Sequence, residues 1–382
     1  MKQMRVLLIS DADDQYGAPR AMLELALELK NKYEIHPIIL TCSNSSINKF
    51  CDKNSIENYV TYHRSCMVDN YHHSLRKSIK DLLRFMRYII CKKVSLILVR
   101  KHIDFKSIDL IHSNSNRIDF GVLLSKKYRI PHVMHFREEA GGCKPFFKTI
   151  YKDIDDQSYY LIAISNTVKL GWIKYGLPEN KFVTVYDGID VSDIEIKNYS
   201  NDDDIFRIVC VGSLFENKGQ HIIMKAISIL PKEIKNKVIF DMYGEGEFYN
   251  ELRKIKDELC LNNVSFKGYS NSIHKILKDY DCGIVASKKE GFGRTTVEYM
   301  AAGLCVIAAN SGATIEITKD RYNALIFNRE DTQELADKIE ELFINRDLRK
   351  QLALNGQKMV QSIYTKEKNA AEVMKLYERI ID

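Results

Sequence analysis

Glu290 and Glu298 stand on either side of the turn Gly291-Phe292-Gly293, eight residues apart. A carboxylate accepts strong, charge-assisted hydrogen bonds from a pair of vicinal hydroxyls, so two of them facing one space suit a ligand with two polyol rings. The run Cys282 to Ala286 before them is apolar and of strand length, while Thr295 to Ala302 after them has helical character and stops at Gly303. The segment therefore reads as strand, loop, helix, with Glu290 in the loop and Glu298 one turn inside the helix. Backbone N–H groups at such a helix start attract phosphate, and glycines there let a ligand approach the backbone. Acids near a helix start also complement its dipole, which by itself would account for both glutamates. The surrounding elements have to decide between these readings.

Short apolar runs at Val6 to Ile9, Ile38 to Leu40, Leu110 to Ile111, Val133 to Met134, Leu161 to Ile164 and Val183 to Val185 alternate with helical stretches. The alternation resumes at Ile208 to Val211, Val238 to Phe240, Val264 to Phe266, Cys282 to Ala286, Cys305 to Ala309 and Leu325 to Phe327. Strands apolar on both faces imply parallel sheets covered by helices on both sides. A chain of 382 residues fits two such domains. We expect them at 1–190 and 206–362, joined by a polar, acidic linker at 191–205, with a C-terminal helix at 363–382 packing back on the first domain. In such sheets ligands bind beyond the carboxyl ends of the strands. The residues after each run are then the candidates: Gly17 and Ala18, His135-Phe136-Arg137-Glu138, Gly212 and Lys218-Gly219, Gly244-Glu245-Gly246, Gly268, and Gly312. A cleft between two domains would collect them.

The collinear set Val211-Gly212-Ser213-Leu214, Lys218-Gly219, Tyr243-Gly244-Glu245-Gly246, Phe266-Lys267-Gly268, Glu290-Gly291-Phe292-Gly293 and Glu298 resembles the retaining glycosyltransferases of family 4, also called group 1. A weaker match runs through Gly17-Ala18-Pro19-Arg20, His135-Phe136-Arg137-Glu138, Ala163-Ile164-Ser165 and Tyr186-Asp187-Gly188-Ile189-Asp190. The resemblance implies an α/β protein of GT-B architecture: two doubly wound, Rossmann-like domains facing across a cleft, the first on the acceptor side and the second binding a nucleotide-sugar. Carried over by position, Glu290 would hold hydroxyls of the donor sugar and Glu298 the ribose. Phe292 and Gly293 would offer backbone N–H groups, with Gly212, Ser213, Gly244, Gly268 and Gly291 lining the same donor site. Lys218 would pair with the diphosphate, where a fixed cation stabilises charge that grows as the glycosidic bond breaks. Gly17 and Ala18 would approach that diphosphate from the first domain, and His135 would contact the sugar near the reacting carbon. Glu290, His135 and Lys218 are the expected catalytic residues. The family often has arginine where this chain has Ser213, and Arg294 is the candidate replacement.

The implied activity is transfer from a nucleotide-diphosphate sugar, such as a UDP-sugar, to a glycan or lipid-linked glycan, in the setting of bacterial surface polysaccharide synthesis. It would proceed with retention, without metal or cofactor, the leaving phosphate helping to deprotonate the acceptor hydroxyl. Asp11-Ala12-Asp13 and Asp202-Asp203-Asp204 match formally the Asp-x-Asp signature of metal-dependent transferases, but neither has its context and the second lies in the linker. Two other classes compete. A nicotinamide-dependent oxidoreductase would need Gly-x-Gly-x-x-Gly in the first turn, and Asp11 to Ala18 holds a single glycine. A non-catalytic sugar-nucleotide or glycan binding subunit would keep the same residues without turnover.

With 45% hydrophobic and 28% charged residues the composition is that of a globular protein. No apolar stretch approaches the ~18 residues a spanning helix needs, so we expect neither a signal peptide nor a membrane span, and a cytoplasmic protein. Nine cysteines without pairing or zinc-ligand spacing are expected to be free thiols. The net charge of +6 is concentrated between residues 72 and 106, where ten basic residues face two acidic ones. There Leu75, Ile79, Leu82, Leu83, Met86, Ile89 and Ile90 recur at helical spacing, with Arg76, Lys77, Lys80, Arg84 and Arg87 on the other face. Such a helix, spanning 75–101, either lies on an anionic membrane surface, making the protein peripheral at its inner face, or packs its apolar face on the core. No aromatic stacking motif or helix-turn-helix accompanies the charge, so nucleic acid is not an expected partner.

Overall fold

The computed structural model of the chain describes residues 3–10, 17–69, 75–199 and 204–382. Asp11, Asp13, Asp202 and Asp203, and the side chains of Leu75, Arg76 and Lys77, lie outside what is described. The chain divides into two units, Met1–Gly188 with Lys366–Asp382, and Ile189–Thr365.

The first unit is built on a seven-stranded parallel sheet in the spatial order Glu57–Val60, His36–Thr41, Arg5–Ile9, Leu110–Ser113, His132–Phe136, Ser158–Ala163, Phe182–Thr184. The second has six parallel strands in the order Val264–Gly268, Val238–Tyr243, Phe206–Val211, Cys282–Val285, Cys305–Ala309, Leu325–Phe327. In both sheets the direction of winding reverses beside the first strand in sequence, and a doubly wound sheet opens its ligand crevice there. Each apolar run of the sequence is a strand of one of these sheets. The edge strand Glu57–Val60 gave no such signal, because it pairs on one side only and stays half-buried. The short antiparallel pair Met67–Asp69 and Cys143–Pro145 was equally silent.

Alternation along one strand explains why the runs are apolar throughout. Val6 and Leu8 pack with Met22, Leu25 and Leu29 of the helix Gly17–Tyr33 and with Val373 and Tyr377 of the helix Lys366–Ile381. Leu7 and Ile9 face the opposite layer, against Val99, Phe120 and Leu124. In the second unit Ile208, Cys210, Ile284 and Ile307 lie under Ile223 and Ile227 of Gln220–Ser228 and under Leu335 and Ile339 of Thr332–Ile344. Each wholly buried Leu or Ile contributes roughly 1.5–3 kcal/mol, so residues 366–382 are part of what stabilises the first unit. All nine cysteines are free thiols.

The helix Leu75–His102 packs differently from the core-packed expectation. Its inner face consists of Tyr88, Ser95 and Val99, with Tyr88 Oη donating to Asp119 Oδ2 at 2.6 Å and Lys92 Nζ reaching the same oxygen at 2.5 Å. Its apolar stripe, Ile79, Leu82, Leu83, Met86, Ile90, Val94 and Ile97, turns outward, each side chain 40–62% exposed. With small and aromatic residues already filling the contact, the core offers the stripe no place. Among the described residues no helix is long and apolar enough to cross a membrane.

Candidate active site

In the second unit the strands Phe206–Val211, Val238–Tyr243 and Val264–Gly268 end side by side at Gly212, Gly244 and Gly268. Gly212 N donates to Tyr243 O at 2.9 Å and Gly244 N to Gly268 O at 2.8 Å. A Cβ on Gly244 would fall 2.0 Å from Gly212 O, so the two backbones touch. Ser213 follows, its carbonyl accepting from Gln220 Nε2 at 3.1 Å. The three glycines thus form a side-chain-free floor at the carboxyl ends of adjacent strands.

Across the first strand, Cys282–Val285 leads into the loop that carries Glu290. Two contacts hold the turn Glu216–Lys218 against this loop: Lys288 N donates to Asn217 O at 2.7 Å, and Gly219, at φ +75°, sits where a Cβ would be 2.2 Å from Ala286 O. In consequence Lys218 Nζ meets Glu290 Oε1 at 2.7 Å, though 72 residues separate them. Glu290 is anchored from behind, its carbonyl accepting from Ala313 N at 2.8 Å. The Lys218 and Glu290 side chains remain 28% and 20% exposed, so the pair is open to a ligand. An ammonium has three donors and this contact uses one.

Past Gly291, Phe292 is buried, its ring edge-on to Tyr364 with centroids 5.6 Å apart. Gly293 then opens the helix Arg294–Ala301 without a side-chain cap, Thr296 N returning to Gly293 O at 2.9 Å. Such a start presents partial positive charge. Glu298 is buried one turn in, Oε1 3.3 Å from His274 Nε2 and 3.4 Å from Arg294 Nε. Arg294 is therefore drawn to Glu298 through the i,i+4 contact. His274 had no signal in the sequence, since it comes from a polar segment 24 residues upstream.

In the first unit, Gly17 begins the helix Gly17–Tyr33, and the carbonyl of Ala18 accepts from Asn114 Nδ2 at 3.1 Å. Asn114 follows Leu110–Ser113, so this contact sits at the winding reversal. Arg137 donates from Nε to Asn114 O and Oδ1, at 3.1 and 2.9 Å, and from Nη1 to both Asp187 oxygens, at 2.6 and 2.8 Å. These two motif residues form a buried ion pair that bridges strand ends. His135, expected to contact the sugar near the reacting carbon, is the penultimate residue of the strand His132–Phe136. Its strand continues through Phe136, and its side chain turns into the core, where it is 0% exposed. Its Nδ1 lies 3.2 Å from His112 Nε2, and His112 Nδ1 is 2.6 Å from Tyr377 Oη. Among the described residues His135 Nε2 has no hydrogen-bond partner.

Burial pushes His132 down to about 3. Burial, with the Arg137 charge adding to it, pushes His112 down to about 3 and His135 well below its ordinary range. These imidazoles stay neutral in the fold, whereas the unfolded chain takes up protons below about pH 6.5. Stability is then fully present above pH 6.5 and is lost as pH falls toward 3, by up to ~1.4 kcal/mol per pH unit for each histidine. Urea midpoints measured over that range should fall steeply, and His132→Gln should reduce the slope by about one proton. An unchanged slope in the variant would contradict a neutral, buried His132.

Residues 17–193 match the family described as Glycosyltransferase Family 4 and residues 191–359 the family described as Glycosyl transferases group 1. An uncharacterized glycosyltransferase of Methanocaldococcus jannaschii is 29% identical over 291 residues, 73% of this chain and 78% of that protein. The N,N'-diacetylbacillosaminyl-diphospho-undecaprenol alpha-1,3-N-acetylgalactosaminyltransferase of Campylobacter jejuni is 24% identical over 301 residues, 72% of this chain and 78% of its own length. Among solved structures, Anabaena HepE in complex with UDP and glucose superimposes with a TM-score of 0.78 at 18% identity, covering 98% of this chain and 100% of that one.

Proposed function

The chain belongs to the group 1 glycosyltransferases and has the GT-B fold, and accordingly we propose that it moves a sugar from a nucleoside diphosphate to a hydroxyl of a glycan or lipid-linked glycan, with retention and without a metal, in bacterial surface polysaccharide synthesis. The observation that carries the reading is the open Lys218–Glu290 pair beside the glycine floor. Glu290 orients the ammonium in advance, so Lys218 keeps two N–H groups for the diphosphate and spends no reorganisation when charge develops there. The outer oxygen of Glu290 is then positioned for hydroxyls of the donor sugar. Glu298, held between His274 and Arg294, suits the ribose diol, and the uncapped helix start beside it suits phosphate oxygens. Arg294 fixes Glu298 beside that helix start, and in the first unit Gly17 and Ala18 open a helix at the winding reversal. His135 takes a positioning role through Arg137, in keeping with its burial. The names of the relatives support this substrate class, since the Anabaena structure holds UDP with glucose and the Campylobacter enzyme is named for a lipid diphosphate acceptor.

The test is release of nucleoside diphosphate from a panel of UDP-, GDP- and ADP-sugars, with and without a membrane extract as acceptor source. Release from one donor that requires the extract supports the proposal and identifies that donor. Saturable binding of a donor without any release would replace transfer by the binding-subunit reading.

The same proposal lays the outward face of Leu75–His102 on an anionic membrane surface. Seven apolar side chains in one stripe, with Lys80, Arg84, Arg87, Lys93 and Lys101 exposed around them, suit interfacial insertion. Each cation near such a surface adds about 1 kcal/mol. Sedimentation with phosphatidylglycerol-containing vesicles at low salt should pull the protein down, and Leu83→Glu with Ile90→Glu should weaken binding at least tenfold. Equal sedimentation of both proteins, or none by either, would end this idea.

A further inference from the structure

The carboxyl-end face of the first unit holds a second cluster that the donor site does not use. Arg64 and Arg117 come from the segments after Glu57–Val60 and Leu110–Ser113, and Arg84 and Arg87 from the helix Leu75–His102. The four arginines line one pocket of about 200 Å³, together with Met67 and Phe146. The frame is firm: Cys66 N donates to Arg117 O at 2.8 Å and Phe146 N to Cys66 O at 2.9 Å, so three separate segments are stitched together there.

The charge in this pocket is only partly answered. Arg117 Nη1 lies 3.3 Å from Glu138 Oε2, and Arg84 Nη1 lies 3.6 Å from Asp81 Oδ1. Among the described residues no carboxylate comes within ion-pair distance of Arg64 or Arg87, and Arg64 Nε is buried without a hydrogen-bond partner. A buried guanidinium N–H without an acceptor is costly, and like charges gathered round one space repel. Both penalties vanish when an anion with several acceptor oxygens enters. The planar fork of arginine fits phosphate oxygens in pairs. The volume is several times the ~30 Å³ a water molecule occupies in the liquid, which leaves room for phosphate or diphosphate.

We propose that this pocket binds the phosphate portion of an anionic ligand, Arg64 and Arg87 supplying the primary donors and Arg84 and Arg117 the flanking charge. Met67 and Phe146 offer an apolar wall, and Leu83 and Met86 of the exposed stripe are helix neighbours of Arg84 and Arg87. A phosphate carrying an apolar tail therefore meets complementary surface. Two sources share that chemistry, the diphosphate of a lipid-linked acceptor and the headgroup of a membrane phospholipid. Assigning the phosphate to an acceptor rests on the glycosyl-transfer reading, whereas phosphate binding as such does not.

Calorimetry with inorganic pyrophosphate and sedimentation with phosphatidylglycerol vesicles separate the sources. Both proteins compared carry Lys218→Ala, which weakens the proposed donor diphosphate site, and one also carries Arg64→Gln and Arg87→Gln. A salt-sensitive pyrophosphate affinity that falls about tenfold for each arginine removed, at an unchanged thermal midpoint, supports the pocket and favours the acceptor. Losses with both probes support it with the headgroup as ligand, whereas a loss confined to the vesicles assigns Arg87 to the membrane-facing charge of Leu75–His102 and overturns the pocket. Equal binding of both probes by both proteins, or no binding of either probe by the parent, overturns it. Should the combined variant fail to fold, Arg87→Gln alone, at an exposed position, gives the same comparison. None of these readouts needs turnover, so absence of transfer activity and absence of the phosphate site are separate results.

Discussion

Glu290→Ala is expected to remove nearly all sugar transfer while the protein stays folded. A carboxylate that takes two hydroxyl hydrogen bonds from the donor contributes about 1.5–3 kcal/mol for each, so its loss should lower kcat/KM by a factor on the order of 10²–10⁴. Part of the loss should appear in kcat, because Glu290 also fixes the Lys218 ammonium at 2.7 Å, and a cation free to wander no longer meets the leaving diphosphate in advance. The fold should tolerate the change for three reasons. The Glu290 side chain is partly exposed, its backbone is held independently by Ala313 N, and Lys218, 28% exposed, can return to water. A partly exposed ion pair is worth at most about 1 kcal/mol, which in a unit of this size moves the thermal midpoint by only about 2–4 °C. Glu290→Gln, which keeps one acceptor oxygen, should fall between wild type and Ala. Wild-type kinetics in the Ala variant would remove Glu290 from the site.

Gly244→Ala should do the opposite, damaging the second unit before any chemistry is measured. At φ +142° an L side chain is strained, and the new Cβ would stand 2.0 Å from Gly212 O, a backbone atom with no rotamer to yield. Strain of about 1–3 kcal/mol and overpacking of about 1–3 kcal/mol together approach the stability margin of an ordinary domain. The backbone would have to part, breaking the hydrogen bonds from Gly212 N and Gly244 N that align the three strand ends. We expect a thermal midpoint lower by on the order of 10 °C and loss of donor binding. Gly268→Ala is the control, because Gly268 has φ +70° but nothing within 4 Å of an added Cβ, so only the conformational strain of about 1 kcal/mol applies. Equal melting of the two variants would mean that the close approach of Gly244 to Gly212 does not hold the floor of the site.

Much of this protein is legible in the order of its residues. The strands of both sheets stand out because a parallel strand buried on two faces must be apolar at consecutive positions, as Val6 to Ile9 shows with two residues facing each layer. The strand-loop-helix around Glu290 and Glu298 is equally local, and the Arg294–Glu298 contact follows from i,i+4 spacing on one helix. Elements outside that logic stayed hidden, such as the half-buried edge strand Glu57–Val60, whose polar pattern reflects its single neighbour.

Tertiary structure decided what the local pattern left open. The spacing of Ile79, Leu82, Leu83, Met86 and Ile90 makes a helix amphipathic but does not say which face meets the core, and competition from Tyr88, Ser95 and Val99 turned the apolar stripe outward. His135 reads as a strand-end residue, yet its strand runs one residue further and its ring lies inside against His112, which is itself bonded to Tyr377 from the far end of the chain. The pairing of Lys218 with Glu290, the approach of His274 to Glu298 and the gathering of Arg64, Arg84, Arg87 and Arg117 join segments distant in sequence. Periodicity is set by each residue's immediate backbone and burial and is therefore written locally. Which side chains meet depends on strand order, loop closure and competition for core volume, all of which belong to the folded whole.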